Sequence, residues 1–165
     1  MKKKSLCIDI YEVEDENELS PDDIKLIHLA RKMTFNAYAP YSEFYVGSAI
    51  LLENGEIVTG SNQENAAYPS GICAERVCVF SASSQYPNVK MKAIAVAARN
   101  PRESMNYPIS PCGSCRQVLL EFEHKQKEPI KILLTGEYGK VFIITKAEDL
   151  TPISFSSDDL KRLLL

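Results

Sequence analysis

A chain of 165 residues falls within the ~100–200 residues of one domain, and 45% apolar residues suffice for a core without disulfide staples. Its charges are mixed in sign and sum to −3, which excludes a polyanion-binding surface built on a basic stripe and favours a small, weakly charged partner. No apolar run approaches the ~20 residues that cross a bilayer, and the basic start turns acidic from Asp9 onward, so no signal segment is read and a cytoplasmic protein is expected.

In chain order, Leu6, Ile8, Ile10 and Glu12 alternate as an edge strand would. Ser20-Pro21-Asp22-Asp23 starts a helix: Ser20 caps it, Pro21 fits the first turn, and the acids complement its positive end. Leu26, Ala30, Met33 and Ala37 carry the helical stripe, and Pro40 stops it. Tyr45–Leu52 and Glu56–Ser61 flank Asn54-Gly55, a strong hairpin signal. A loop over 62–71 leads to a helix over Ile72–Ser83, and Met91–Ala98 reads as a buried strand. The proline-marked loop Arg99–Pro111 precedes a helix over Cys112–Glu123. Two more strands, Pro129–Thr135 and Lys140–Thr145, and a short helix from Ser156 or Ser157 through Leu165 complete the order. Helices interleaved with strands predict an α/β layered domain around one sheet, spanning residues 1–165.

Five cysteines are an odd count, and in a reducing compartment they more often bind metal, do chemistry or pack than form bridges. Cys112 and Cys115 share a helix face just after Pro111, at a helix start that favours thiolate. C-x-x-C alone reads equally as a redox pair, a zinc site or neither. The redox reading leaves Cys73 and Glu75 without a role. A structural zinc site needs four protein ligands, whereas Cys73 is the one further ligand at a helix start. Three thiolates without a fourth ligand describe an open, catalytic zinc site, and Glu75, two residues past Cys73, is then placed to move protons.

The pattern C-A-E followed by P-C-G-S-C is the zinc nucleoside and nucleobase deaminase signature. Four more stretches extend the likeness: P-Y-S-E-F-Y-V-G from Pro40, G-S-N-Q-E-N-A-A-Y from Gly60, R-Q-V-L after Cys115, and F-S-S-D-D-L from Phe155. From Leu26 to Leu160 the chain resembles the small homotetrameric cytidine deaminases. That resemblance implies a three-layer fold with a mixed five-stranded sheet between helices, and residues 1–19 as an amino-terminal extension. It implies one zinc ion per subunit on Cys73, Cys112 and Cys115, with Glu75 as the proton shuttle. Phe44 would pack on the pyrimidine, Asn62 and Glu64 would hold the ribose hydroxyls, and Ala74 and Phe155 would complete the substrate contacts. Phe155 would come from an adjoining subunit, since active sites lie near subunit interfaces in this family. Arg76 would offset the charge of the ligand thiolates.

The activity implied is hydrolytic deamination of cytidine and 2′-deoxycytidine in pyrimidine salvage, with no nucleic-acid or membrane partner. Alternatives are a related zinc deaminase acting on another small nucleoside, antibiotic or base, and a zinc-stabilised binding module without turnover. Beside these stand blander readings. Cys78 reads as core, Cys7 takes no role, His28 and His124 read as structural, and Tyr41 and Tyr45 as packing. The segment over 100–109 is longer than in compact relatives and leads straight into a ligand helix.

Overall fold

The computed structural model describes residues 1–162, with side chains to residue 160. One six-stranded sheet runs in the order β1-β6-β5-β4-β2-β3. Its strands are β1 (Tyr11–Val13), β2 (Tyr45–Leu52), β3 (Ile57–Ser61), β4 (Met91–Arg99), β5 (Lys131–Thr135) and β6 (Val141–Ile144). Only β4 and β5 pair in parallel, and the connection between them carries a helix, as a parallel crossover requires.

The two faces differ because β2 and β4 alternate small and large residues. Gly47, Ala49, Ala93, Ala95 and Ala97 leave room on one face for α1 (Pro21–Met33), whose Leu26, Ile27 and Ala30 are fully buried there. The approach is close enough that a Cβ on Gly47 would lie 2.1 Å from the Ala30 carbonyl oxygen. On the opposite face Ile50, Leu52, Ile94 and Val96 meet Val79 and Leu119 of α2 (Ala74–Gln85) and α3 (Gly113–Gln126). The expected helix–sheet–helix layering is therefore present. Each buried leucine or isoleucine contributes on the order of 2–5 kcal/mol if truncated to alanine.

The sheet has six strands where five were expected, because residues of the amino-terminal extension join it. β1 pairs antiparallel with β6, and Lys140 ties the two by ion pairs to Glu12 at 2.7 Å and Glu14 at 3.4 Å. The edge strand expected over Leu6–Glu12 forms later than its alternation suggests: Glu12 pairs with Phe142 in β1, while Leu6, Ile8 and Ile10 are exposed and precede it. The first helix also ends sooner than its stripe suggests. Thr34 turns its hydroxyl onto the Arg31 carbonyl at 2.7 Å, and a 3-10 turn, Thr34–Asn36, follows.

Near the carboxyl end, α4 spans Ser157–Arg162. The Ser156 amide donates to the Asp159 carboxylate at 2.9 Å, as a helix start requires. The continuation expected through Leu165 lies outside the described residues.

Candidate active site

Two helices begin on cysteines. Cys73 is the N-cap of α2 and Cys112 the N-cap of α3, both extended in backbone and neither using its side chain as a cap. Their sulfur atoms are thus free to face one another across the helix starts. Cys115 lies one turn into α3 and is fully buried. The Sγ atoms of Cys73 and Cys112 are 3.7 Å apart, those of Cys112 and Cys115 3.5 Å apart, and all three lie within 4.8 Å of one another. Thiolates bound tetrahedrally to one zinc ion stand about 3.8 Å apart, so the arrangement fits that metal with one coordination position left over. Among the described residues this is the one such cluster.

The thiols share protons unequally. Cys73 is pulled down to about 5, first by the hydrogen bond from Cys115 and then, against the cost of burial, by Arg76. Cys115 is pushed up by its hydrogen bond to Cys73 and by burial. The Arg76 guanidinium donates to Cys73 Sγ at 3.6 Å, and its Nε is buried without a partner. That donor drains charge from the sulfur on which it bears.

Glu75 occupies the first turn of α2 and is only 4% exposed. Burial raises its pKa first, its own backbone N–H opposes that, and the Cys73 thiolate raises it further. A carboxyl group so placed holds its proton more readily than an exposed one, as a group that must both take and give a proton requires.

The expected ribose and base contacts converge on one turn. Asn62 accepts from the Val46 amide at 2.7 Å and donates to the Phe44 carbonyl at 2.9 Å, so it clasps the turn on both sides of Tyr45. Glu64 accepts from the amides of Tyr41 at 2.9 Å and Ser42 at 3.3 Å and from the Ser42 hydroxyl. Its pKa is lowered by these bonds against a desolvation cost, so it stays ionised. Asn62 retains one N–H and Glu64 retains lone pairs for a ligand. Phe44 is half-buried, and its amide is held by the Ser42 hydroxyl at 3.0 Å.

Beside this turn lies a cleft of about 380 Å³ lined by Tyr41, Ser42, Glu64, Asn65, Tyr68 and Gly71. Tyr41 and Tyr68 meet edge to face at 5.9 Å in its wall, so Tyr41 packs on a neighbouring ring while its other side stays exposed along the cleft. Two other expected contacts stand apart from the cleft. Ala74 is fully buried, with its carbonyl against Gly60. Phe155 is 57% exposed and fastened to α3 through its carbonyl, which accepts from Gln117 at 2.9 Å.

Arg116, part of the matched stretch after Cys115, has a role that the sequence does not state. Its guanidinium donates to the Pro111 carbonyl at 2.8 Å, the Ser110 hydroxyl at 2.8 Å and the Leu150 carbonyl at 3.2 Å, fixing the approach to Cys112. Its place directly after the C-x-x-C was the available signal. The bland readings hold for Cys78, which is buried, donates to the Val58 carbonyl at 3.0 Å and is pushed up to about 12 by desolvation.

Known proteins are similar to this chain in sequence and fold. A family profile described as the cytidine and deoxycytidylate deaminase zinc-binding region matches residues 20–127. A cytidine deaminase from Sporosarcina psychrophila is 42% identical over 136 residues, covering 82% of this chain and 93% of that protein. One from Halalkalibacterium halodurans is 38% identical over 135 residues, with 82% and 95% coverage. The crystal structure of cytidine deaminase from Burkholderia pseudomallei superposes with a TM-score of 0.69 at 38% identity, covering 83% of this chain and all of that one. With the profile spanning well over half of its length and relatives this similar along most of theirs, the chain belongs to the zinc-binding cytidine and deoxycytidylate deaminase family.

Proposed function

We propose that this protein hydrolytically deaminates cytidine and 2′-deoxycytidine, releasing ammonia and the corresponding uracil nucleoside. The observation that carries this reading is the convergence of three thiols at two helix starts beside the buried carboxyl of Glu75. Cys73, Cys112 and Cys115 hold the metal. Bound zinc supplies a Lewis acid that brings the pKa of water from ~15.7 toward ~7. Arg76 offsets the negative charge that three thiolates would otherwise leave at the site.

Glu75 takes a proton from the attacking water and passes it to pyrimidine N3, which makes C4 electrophilic. Once the oxygen has added at C4, the freed carboxylate takes the remaining proton of the new C4 hydroxyl and delivers it to the amino group, which leaves as ammonia while the C4 carbonyl forms. One group can serve both transfers because it is buried, its pKa is raised by that burial, and it is anchored on the first turn of a helix. Phe44 packs on the pyrimidine, while Asn62 and Glu64 orient the ribose through their remaining hydrogen-bonding capacity. Ala74 takes part through its backbone at the helix start. Two ribose-directed groups favour a nucleoside over a free base.

Phe155, with its exposed ring, completes the site of an adjoining subunit, and the working assembly is a homotetramer. Residues 1–165 act as one deaminase domain in cytoplasmic pyrimidine salvage. No helix among the described residues is long and apolar enough to cross a membrane.

The test is loss of cytidine absorbance with stoichiometric ammonia release by the zinc-loaded chain. Glu75→Ala should lose about 10²–10⁴-fold in kcat with zinc content unchanged. Activity retained in that variant would overturn the assignment of Glu75, and no turnover by the native chain would leave a zinc-stabilised binding module.

A further inference from the structure

The segment between β4 and the zinc-ligand helix has no regular structure, yet it is fixed at both ends. At its start Arg99 pairs with Tyr45 across the sheet, and its guanidinium lies between the rings of Phe35 and Tyr45, 4.6 and 4.5 Å from their centroids. A tight turn at Asn100 follows, with its side chain accepting from the Arg102 amide at 3.0 Å and its carbonyl from Glu103 at 3.3 Å. Further on, the chain lies against the β5–β6 turn. Met105 is only 2% exposed, its carbonyl accepts from the Glu137 amide at 2.7 Å, and its own amide donates to the Glu137 carboxylate at 3.2 Å. The turn is shaped for this: a Cβ on Gly136 would lie 2.3 Å from the Met105 carbonyl oxygen, and one on Gly139 2.5 Å from that of Asn106.

Between these two attachments Arg102 reaches across to the turn that carries Phe44. Its Nε and a terminal nitrogen each lie 2.6 Å from a different oxygen of the Glu43 carboxylate, a two-pronged pair. Glu43 precedes Phe44 directly and has φ of 54°, a conformation that a glutamate adopts only when its surroundings hold it. The remaining bonds of that turn run from the Glu43 amide to the Ala39 carbonyl at 3.0 Å and to Asn62, Glu64 and Ser42. All of them attach it to the β3 side or to itself. Beyond the pairing of Tyr45 with Arg99, the Arg102–Glu43 pair is the one bond among those described that ties the turn to the strap leading to the metal helix.

We infer that Arg102 is a positioning residue for substrate: the strap over 100–107 uses its paired contact with Glu43 to set the Phe44 turn relative to the metal helix. The inference rests on the reading of Phe44 as the pyrimidine contact. Arg102 itself touches no reacting atom, so its action falls on nucleoside binding and leaves the chemical step alone. Because its side chain is 75% exposed, salt weakens the contact, and the effect is modest.

The experiment uses the zinc-loaded full chain and cytidine. Arg102→Gln should raise KM about two- to fivefold, the range of an exposed ion pair, with kcat and melting temperature unchanged. In the native protein KM should climb with sodium chloride, and this dependence should flatten in the variant. The exchange Glu43→Arg with Arg102→Glu should return KM toward the native value. Phe44→Ala supplies the control: it should raise KM, and adding Arg102→Gln to it should change nothing more. An unchanged KM in Arg102→Gln alongside a raised KM in Phe44→Ala overturns the strap and leaves the Phe44 reading standing. An unchanged KM in Phe44→Ala overturns both. A fall in kcat or melting temperature in Arg102→Gln assigns the pair a structural role and overturns positioning.

Discussion

The metal centre and the Phe44 turn are held by opposite means. The thiols sit on the first residues of two helices whose bodies are packed in the core, so their positions follow from Val79, Leu119 and the strands beneath them. The Phe44 turn has no such foundation. It is an exposed loop, shaped by Asn62, Glu64, Ser42 and Arg102 acting on its backbone and on Glu43. The first region places atoms through packing, and the second through hydrogen bonds that are individually small. Perturbing the first should abolish chemistry, whereas perturbing the second should tune binding.

The largest separation between the two comes from the metal. Zinc at about a hundredfold excess over its Kd adds about 2.7 kcal/mol to the folded state. Stripping it with a chelator should therefore lower the melting temperature by about 5–10 °C for a chain of this size and abolish turnover. Thiol titration gives this a pH sign. In the metal-free protein Cys115 is held above its ordinary value and keeps its proton at neutral pH, and zinc binding releases it. Zinc affinity should then rise with pH, and calorimetry in buffers of different ionisation enthalpy should report at least one proton released. Affinity independent of pH would mean that all three sulfurs are already thiolates without metal.

The same contrast decides what the sequence reveals. Cys73, Glu75, Cys112 and Cys115 are legible because metal chemistry demands particular residue types at particular spacings, and helical geometry converts those spacings into positions. The layered sheet is legible because Met91–Ala98 is an apolar stretch of strand length and helices interleave with strands along the chain. Phe44 is legible only through the stretch from Pro40 that resembles the family, and the hold of Asn62 and Glu64 on its backbone is not, because backbone partners leave no residue signature. Arg102 and Glu43 are separated by most of β2, β3, α2 and β4, and nothing local links two exposed charges. Glu123 shows the limit within the core. It reads as a charge on a helix, yet it is buried and accepts from the amides of Ile130 at 2.7 Å, Ala147 at 2.7 Å and Glu148 at 2.8 Å. The amino-terminal edge strand is legible only at its Glu12 end: the alternation at Leu6–Ile10 precedes β1 and outruns the short β6.

Asn62→Ala should produce a middle-sized effect, in the turn alone. It removes two backbone contacts, at 2.7 and 2.9 Å, together with any bond to the ribose. Two net hydrogen bonds are worth about 1–3 kcal/mol, so KM for cytidine should rise roughly five- to a hundredfold with zinc content unchanged. Zinc loss in this variant would show that the turn and the metal centre are one cooperative unit, and the contrast drawn above would fail.

The smallest effect should come from the far end of the metal helix. Lys127 closes α3 with φ of 56°, and its amide donates to the carbonyls of Glu123 at 3.0 Å and His124 at 3.3 Å. A lysine in this left-handed conformation costs about 1–2 kcal/mol in sterics, while glycine adopts it freely but loses more chain entropy on folding. The net gain for Lys127→Gly is about 0.5–1 kcal/mol, or a rise of about 1–4 °C in melting temperature. The same helix carries Cys112 and Cys115 at its other end, so the substitution also asks whether packing insulates the sulfurs. If helix packing fixes them, KM, kcat and zinc affinity should stay at native values while the melting temperature rises. A shift in zinc affinity would mean that the helix end and its start move together, and that the metal centre depends on more than its local packing.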